Sequence, residues 1–146
     1  MRKYSKKIDY NTEDFDKLSI SDLKRVADYW LRQYLLKQSS GFGDRIWCPI
    51  KRQTYHKDKI HVAHFIDRNV MGLRYDLDNC HLISEQSNMW DAQTPKEGYK
   101  SLHHYDYENY LGEYKVNALK YRAKEIVILN RQDYVEIIKK YKHEWK

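Results

Sequence analysis

Residues 61–68, HVAHFIDR, begin the part of the chain that decides the fold, which continues with RYDLDNCHL at 74–82 and SEQSN at 84–88. Apolar residues scattered among turn formers favour two short strands in the first two pieces, and the polar third piece favours a short helix. A histidine ends the first strand, an asparagine begins the second, and another asparagine lies on the helix. Such a hairpin and helix can bring these side chains to one small cleft, suited to a base that activates water and to a divalent cation that polarises a phosphate.

The sequence on either side of this core favours helices. Apolar residues recur at helical spacing over residues 21–38, which predicts a helix with Ser21 as its N-cap. The C-terminal residues 105–146 are rich in helix formers, with an interruption near Gly112 and a last helix that opens at Asn130. Helices are therefore expected both before and after the hairpin.

The expected fold is one α+β domain over 1–146, mainly helical and built around a hairpin-helix core at 44–92. Residues 1–20 are polar and mixed in charge, which predicts an N-terminal arm that is loosely held or docked late. A packed fold is expected because 14 Tyr and 4 Trp are more aromatic residues than disordered chains contain. A length of 146 residues leaves little room for a second independent core.

Charge and cysteine content indicate which class of partner and which cellular compartment to expect. Lys and Arg number 27 against 21 Asp and Glu, and the net charge of +6 makes a polyanion such as nucleic acid a natural partner. No apolar run is long enough for a membrane helix, and the basic start at 1–3 is not followed by an apolar segment, so neither membrane association nor export is expected. Two cysteines, Cys48 and Cys80, are typical of a reducing compartment and indicate the cytoplasm.

In their order, the core residues resemble the HNH nucleases, which carry a ββα-metal motif, and among these the NinG/Rap recombination endonucleases of lambdoid phages. The likeness rests on His-Phe-Ile-x-Arg from His64 to Arg68, a later Arg74, an Asn-x-His at 79–81 and a closing Asn88. Weaker likeness extends through the first and last helices. The resemblance implies a ββα-metal fold for the core.

The resemblance also implies a catalytic role for several residues. His64 would be the general base that takes a proton from water, and Asn79 would hold the loop and orient His64. Asn88 would be a metal ligand on the helix, with His61 as a second ligand, and the implied cofactor is Mg²⁺ or Mn²⁺.

Three basic side chains of the motif are expected at the nucleic acid. Arg68, Arg74 and His81 would contact the polymer, because a scissile phosphate needs hydrogen-bond donors. Arg68 or Arg74 would neutralise the charge on that phosphate and so belong to the catalytic machinery.

One departure from the family pattern concerns the second ligand. It usually stands directly before the base, where this chain has Ala63. His61 lies three residues before His64, and an odd separation places two side chains on opposite faces of a straight strand. His61 would therefore assist only if the backbone bends.

A second departure concerns zinc, because relatives carry two Cys-x-x-Cys pairs of which only Cys48 remains here. The other positions fall on Lys51, Ser84 and Ser87, which are not usual zinc ligands. We therefore expect no structural zinc. Packing by Trp47, Ile50 and their neighbours would take its place, and Ser84 would cap the short helix.

The expected function is that of a divalent-metal-dependent DNA endonuclease. The resemblance implies branched recombination intermediates as substrate and a phage or prophage setting in the host cytoplasm. The alternative is a non-catalytic DNA-binding module that kept the hairpin but lost its metal, which Ala63 and the missing cysteines favour. RNA as the polymer and the oligomeric state stay open.

Two other patterns have structural interpretations. The tyrosines between residues 99 and 121 are spaced as on a helix, where aromatic side chains more often pack than stack on bases. His103-His104 lies outside the motif and is expected to be a pair on the surface.

Overall fold

The computed structural model describes residues 7–39, 43–88 and 102–145. Within these ranges the chain forms four α-helices and two antiparallel sheets of two strands each, which confirms the α+β class. The helices are α1 (Ile20–Gln38), α2 (Leu102–Leu111), α3 (Glu113–Arg122) and α4 (Arg131–Trp145), and the strands are β1 (Arg45–Cys48), β2 (Gln53–His56), β3 (Ile60–His64) and β4 (Cys80–Ser84).

Tertiary contacts divide the chain into two compact units. The first consists of Met1–Tyr34 and Leu129–Lys146, and the second of Leu35–Ile128, so α1 begins in the first unit and ends in the second. The sequence-based interpretation as one domain stays a prediction.

In the first unit, α1 and α4 bury the apolar faces that their periodicity predicts, and Tyr34 packs on Tyr141 with ring centroids 5.2 Å apart. Ser19 caps α1, since its hydroxyl accepts from Asp22 N at 3.0 Å. The prediction that Ser21 is the N-cap is therefore wrong: the helix begins at Ile20, one residue earlier than the prediction. The cap of α4 is as predicted, and Asn130 and Asp133 exchange hydrogen bonds of 2.9 and 2.8 Å.

The described part of the N-terminal arm is docked within the first unit. The indole nitrogen of Trp30 donates to Tyr10 O at 2.8 Å, and the Arg131 guanidinium donates to Phe15 O and Leu18 O at 2.9 and 2.6 Å. The buried Trp30 and the half-buried Arg131 thus hold the arm through its backbone carbonyls.

The second unit contains both sheets, and they share one apolar core with α2 and α3. Strand β1 alternates in burial, with Ile46 and Cys48 inside and Trp47 55% exposed. The expectation that Trp47 packs the core is therefore wrong, because the pleat turns it to the opposite face from Ile46. Tyr107, Val116 and Leu119 of the two helices complete this core.

The break between α2 and α3 lies where the sequence predicts it. Gly112 has φ of +86°, a conformation that favours glycine, and it ends one helix before the next begins at Glu113. The connection from α3 to α4, residues 123–130, has no regular structure, and Ile126 and Ile128 in it are almost fully exposed.

None of the helices in the described ranges is long and apolar enough to cross a membrane.

Candidate functional site

The motif residues lie on an antiparallel hairpin that is followed by a helical turn. Strand β3 pairs with β4 in a register that places His64 opposite Cys80 and His61 opposite Ile83. Helical conformation begins at Glu85 and continues through 88. The hydroxyl of Ser84 accepts from Ser87 N at 3.2 Å, which confirms Ser84 as the cap of this turn. The remainder of the predicted short helix and core, 89–92, lies outside the described residues.

Asn79 closes the long loop that joins β3 to β4. Its side chain is fully buried; the carbonyl oxygen accepts from Ile66 N at 2.7 Å, and the amide nitrogen donates to Ile66 O at 3.0 Å and Leu73 O at 3.1 Å. The backbone adds a bond from Phe65 N to Asn79 O at 3.0 Å. One amide therefore fixes both ends of the loop.

The same loop orients His64. Its Nε2 lies 2.8 Å from the carbonyl oxygen of Arg74, which also accepts from the Cys80 thiol at 3.2 Å. A carbonyl can only accept, so Nε2 carries the proton and Nδ1 is the basic nitrogen. Asn79 acts on His64 through the backbone, because the Leu73 carbonyl that it holds immediately precedes Arg74.

His61 and Asn88 meet although 27 residues separate them, and the Asn88 amide nitrogen lies 3.4 Å from His61 Nδ1. Glu85 completes the group, with its carboxylate 3.9 Å from His61 Nε2. Glu85 and Asn88 are three residues apart on the helical turn, so both face the same side of the hairpin.

His61, Glu85 and Asn88 are the candidate ligands for a divalent cation, although Glu85 approaches Nε2 of His61 and Asn88 approaches Nδ1. Among the described residues no three His, Cys, Asp or Glu side chains are grouped for metal binding, and a cation held here would need the amide oxygen of Asn88 in addition to His61 and Glu85. An imidazole, a carboxylate and an amide oxygen suit Mn²⁺ well, and the two oxygen donors also suit Mg²⁺.

His81 lies between the hairpin and α2. Its Nδ1 is 2.6 Å from the hydroxyl of Tyr107, and that hydroxyl donates to Ala63 O at 3.2 Å. Since the phenolic proton is directed at the carbonyl, His81 donates from Nδ1. Burial, with smaller contributions from the charges of Lys115 and His64, lowers the pKa of His81 to about 4. His81 is therefore neutral at pH 7.

The two motif arginines have different surroundings. Arg74 is 7% exposed, and its guanidinium donates to the carbonyl oxygen of Arg68 at 3.2 Å. Arg68 is exposed in the loop between β3 and β4. Only Arg68 presents its side chain to solvent, so Arg68 is retained as the phosphate contact, and the predicted contact of Arg74 is not supported by its burial.

The positions at which the sequence resemblance implied zinc ligands come together around a buried thiol. Cys48 Sγ accepts from Ser84 N at 3.3 Å and from Lys51 N at 3.5 Å. The Ser87 hydroxyl is buried, without a hydrogen-bond partner in the described ranges. Backbone hydrogen bonds to one sulfur thus join the β1–β2 turn to the end of β4, and the absence of structural zinc stays a prediction.

Sequence reasoning missed Glu85 and Tyr107, each of which contacts a motif histidine. Glu85 had a signal, because it stands three residues before the proposed ligand Asn88 on a helix. Tyr107 had none, since its partner His81 is 26 positions away.

The tyrosines and histidines of 99–121 also differ from expectation. Packing holds for Tyr107, but Tyr110 is 50% and Tyr114 is 90% exposed. Tyr99 lies outside the described residues. His103 is buried rather than on the surface, and its ring packs edge-on against Tyr107.

Comparison with known proteins adds nothing to this geometry, because no family model matches the chain and no curated protein or solved structure is significantly similar to it.

Proposed function

We propose that the chain is a divalent-metal-dependent DNA endonuclease of the HNH type that hydrolyses phosphodiester bonds. The observation that carries the proposal is the contact of His64 Nε2 with the Arg74 carbonyl, 2.8 Å long, in a loop that buried Asn79 closes. A general base needs a fixed tautomer and orientation, and this contact supplies both.

In the proposed reaction, His64 Nδ1 takes a proton from the attacking water. The imidazolium that results keeps its Nε2 hydrogen bond to the Arg74 carbonyl, whose dipole stabilises the positive charge. Arg68 donates to a non-bridging oxygen of the phosphate as negative charge develops there. By family likeness, the products carry 5′-phosphate and 3′-hydroxyl ends.

The proposal also includes a cation beside the hairpin, and it requires β3 to bend when the cation binds, because the regular pairing of β3 with β4 puts His61 and His64 on opposite faces. His61, Asn88 and Glu85 would hold Mn²⁺ or Mg²⁺ with their imidazole, amide oxygen and carboxylate. When bound, the ion supplies positive charge that polarises the phosphate and stabilises the leaving oxygen. The protein would hold two of these ligands, Glu85 and Asn88, on one helical turn beside β3.

The substrate and setting in the proposal follow the resemblance. We infer that branched recombination intermediates of a phage or prophage genome are cleaved, in the cytoplasm of the host cell. The net charge of +6 supports a polyanionic substrate.

A second function, binding DNA without cleaving it, is favoured by one observation. Ala63, where the family's ligand usually stands, is buried, and its carbonyl is engaged by Tyr107. A chain that had lost metal binding would retain the closed hairpin and the exposed Arg68.

Nicking of supercoiled plasmid in the presence and absence of Mn²⁺ separates the two functions. The endonuclease converts supercoiled to open-circular DNA with Mn²⁺ and stops in EDTA, whereas the binding module shifts DNA mobility under both conditions and cleaves under neither. A four-way junction and a linear duplex of equal length, supplied together, test the branched substrate: the junction should be cut first. Equal rates on both would contradict that part of the proposal.

A further inference from the structure

A cleft beside the hairpin has the composition of a site for a nucleic-acid base. It lies within the second unit, where the β1–β2 turn approaches α2, and its volume is about 430 Å³. The side chains that line it are Trp47, Pro49, Ile50, Arg52, Asp106, Asn109 and Tyr110.

Two aromatic side chains of this cleft are exposed instead of packing in the apolar core. Trp47 is 55% and Tyr110 50% exposed, although Ile46 and Cys48 on the same strand are buried. Large aromatic side chains that stay accessible in a concave site offer flat faces for another ring to stack on.

The polar groups of the cleft suit a neutral ligand rather than a phosphate. Arg52 brings one positive charge and Asp106 one negative charge, so an anion is attracted by one and repelled by the other. Neither these two side chains nor Asn109 forms a hydrogen bond or ion pair with another described residue. A carboxylate and an amide are the groups that pair with the polar edges of bases.

The cleft also adjoins the candidate active site. Tyr110 meets the ring of His81 edge-on, with centroids 5.8 Å apart, and His81 is on β4 of the hairpin. A nucleotide placed in the cleft would therefore lie beside the strand pair that carries His64.

We propose that this cleft binds one unstacked base of the DNA substrate, sandwiched by Trp47 and Tyr110 and bonded at its edge by Asp106 or Asn109. The identity of the ligand rests on the proposed function, because it assumes that the polymer is DNA. Unpaired bases occur at the branched structures proposed as substrate, so the cleft would recognise the branch point while the hairpin acts on the backbone.

The test is equilibrium binding in EDTA, which removes cleavage from the measurement. The probes are a DNA duplex with one bulged base and the same duplex with an abasic sugar at that position. Stacking on an aromatic side chain is worth about 1–3 kcal/mol per base, so the bulged duplex should bind about 5- to 150-fold more tightly. Trp47→Leu and Tyr110→Leu should abolish this preference, and Trp47→Phe should restore part of it.

Tyr114→Leu is the matched control, since Tyr114 is 90% exposed and does not line the cleft. It should leave the preference unchanged, and melting temperatures of all variants should stay close to that of the parent chain. A preference that survives both leucine variants, or that is absent in the parent chain, overturns the inference. So does a change of oligomeric state on Trp47→Leu with unchanged DNA binding, which would make the cleft a protein contact.

The outcomes separate this inference from the proposed function. Metal-dependent cleavage without any preference for the bulged base overturns the proposed base-binding role of the cleft and leaves the proposed endonuclease activity standing. A base preference that the leucine variants abolish, in a chain that cleaves no DNA, supports the proposed base-binding role of the cleft and overturns the proposed endonuclease activity. Tighter binding of the equivalent bulged RNA duplex would overturn the assignment to DNA.

Discussion

His64 and Arg74 are joined through a side chain and a backbone: the Nε2 of His64 donates to the carbonyl oxygen of Arg74 at 2.8 Å. Any substitution that moves this carbonyl should therefore change the orientation of the His64 imidazole, the proposed base, even though His64 itself is not substituted. This dependence makes the loop between β3 and β4 part of the proposed catalytic machinery.

Asn79→Ala should destabilise the protein more than an average substitution does. It leaves Ile66 N, Ile66 O and Leu73 O without their partner in a buried place, and each unpaired group costs about 1–3 kcal/mol. We expect the free energy of unfolding in urea to fall by about 3 kcal/mol or more. Asn79→Asp keeps the acceptor but loses both donors and places a buried carboxylate against the carbonyl oxygens of Ile66 and Leu73, so its loss should be at least as large. Equal stability of all three proteins would contradict this role.

Arg68→Ala should weaken DNA binding, whereas Arg74→Ala should lower the stability of the protein. Loss of the exposed Arg68 should reduce the slope of log K against log salt for duplex DNA by about one unit, because one phosphate contact disappears. Arg74 is buried and donates to the Arg68 carbonyl, so its loss should lower the melting temperature and leave the slope nearly unchanged. A reduced slope for Arg74→Ala alone would reverse the assignment.

Asn88→Ala should raise the Mn²⁺ concentration needed for half-maximal cleavage by about tenfold or more, since losing even an outer partner of a ligand costs about that much. Asn117→Ala is the control, because Asn117 is exposed on α3, outside the β3–β4 loop and the proposed ligand group. If the metal titration of Asn88→Ala matches that of the control, the cation is bound elsewhere.

Stability should depend on pH through His81. Its pKa is lowered to about 4 by burial first and then by Lys115, with Asp78 opposing and His64 adding to the shift. His81 takes up a proton near pH 6.5 in the unfolded chain and only near pH 4 in the folded chain. The stability that depends on neutral His81 is therefore fully present above about pH 6.5 and is lost as the pH falls towards 4. Denaturation of His81→Gln should lack this part of the acid dependence; identical pH profiles would contradict it.

Local patterns predicted most of the secondary structure, because they depend on neighbours in sequence. Helix α1, the break at Gly112 and the cap of α4 follow from periodicity and capping residues within a few positions. Trp47 was wrongly placed in the core, since a strand of four residues has too few positions to show which face is buried.

Contacts between distant residues were less predictable. The order of motif residues led to His64, Asn79 and Asn88, but it gave no sign that Arg74 would be buried or that Tyr107 would hold His81. These features depend on packing between the hairpin and α2. Likewise, the strand parity that separates His61 from His64 is consistent with their different partners, Asn88 for one and the Arg74 carbonyl for the other.

The most direct test of the account is the single-turnover rate of plasmid nicking by the parent chain and by His64→Ala, both with saturating Mn²⁺. The account predicts that the parent chain nicks the plasmid and that the variant does so about 10²–10⁴ times more slowly, with unchanged DNA affinity and melting temperature. His143→Ala, which removes an exposed histidine of α4, should nick at the parent rate. Equal rates for His64→Ala and the parent chain, or no metal-dependent nicking by either, would contradict the account.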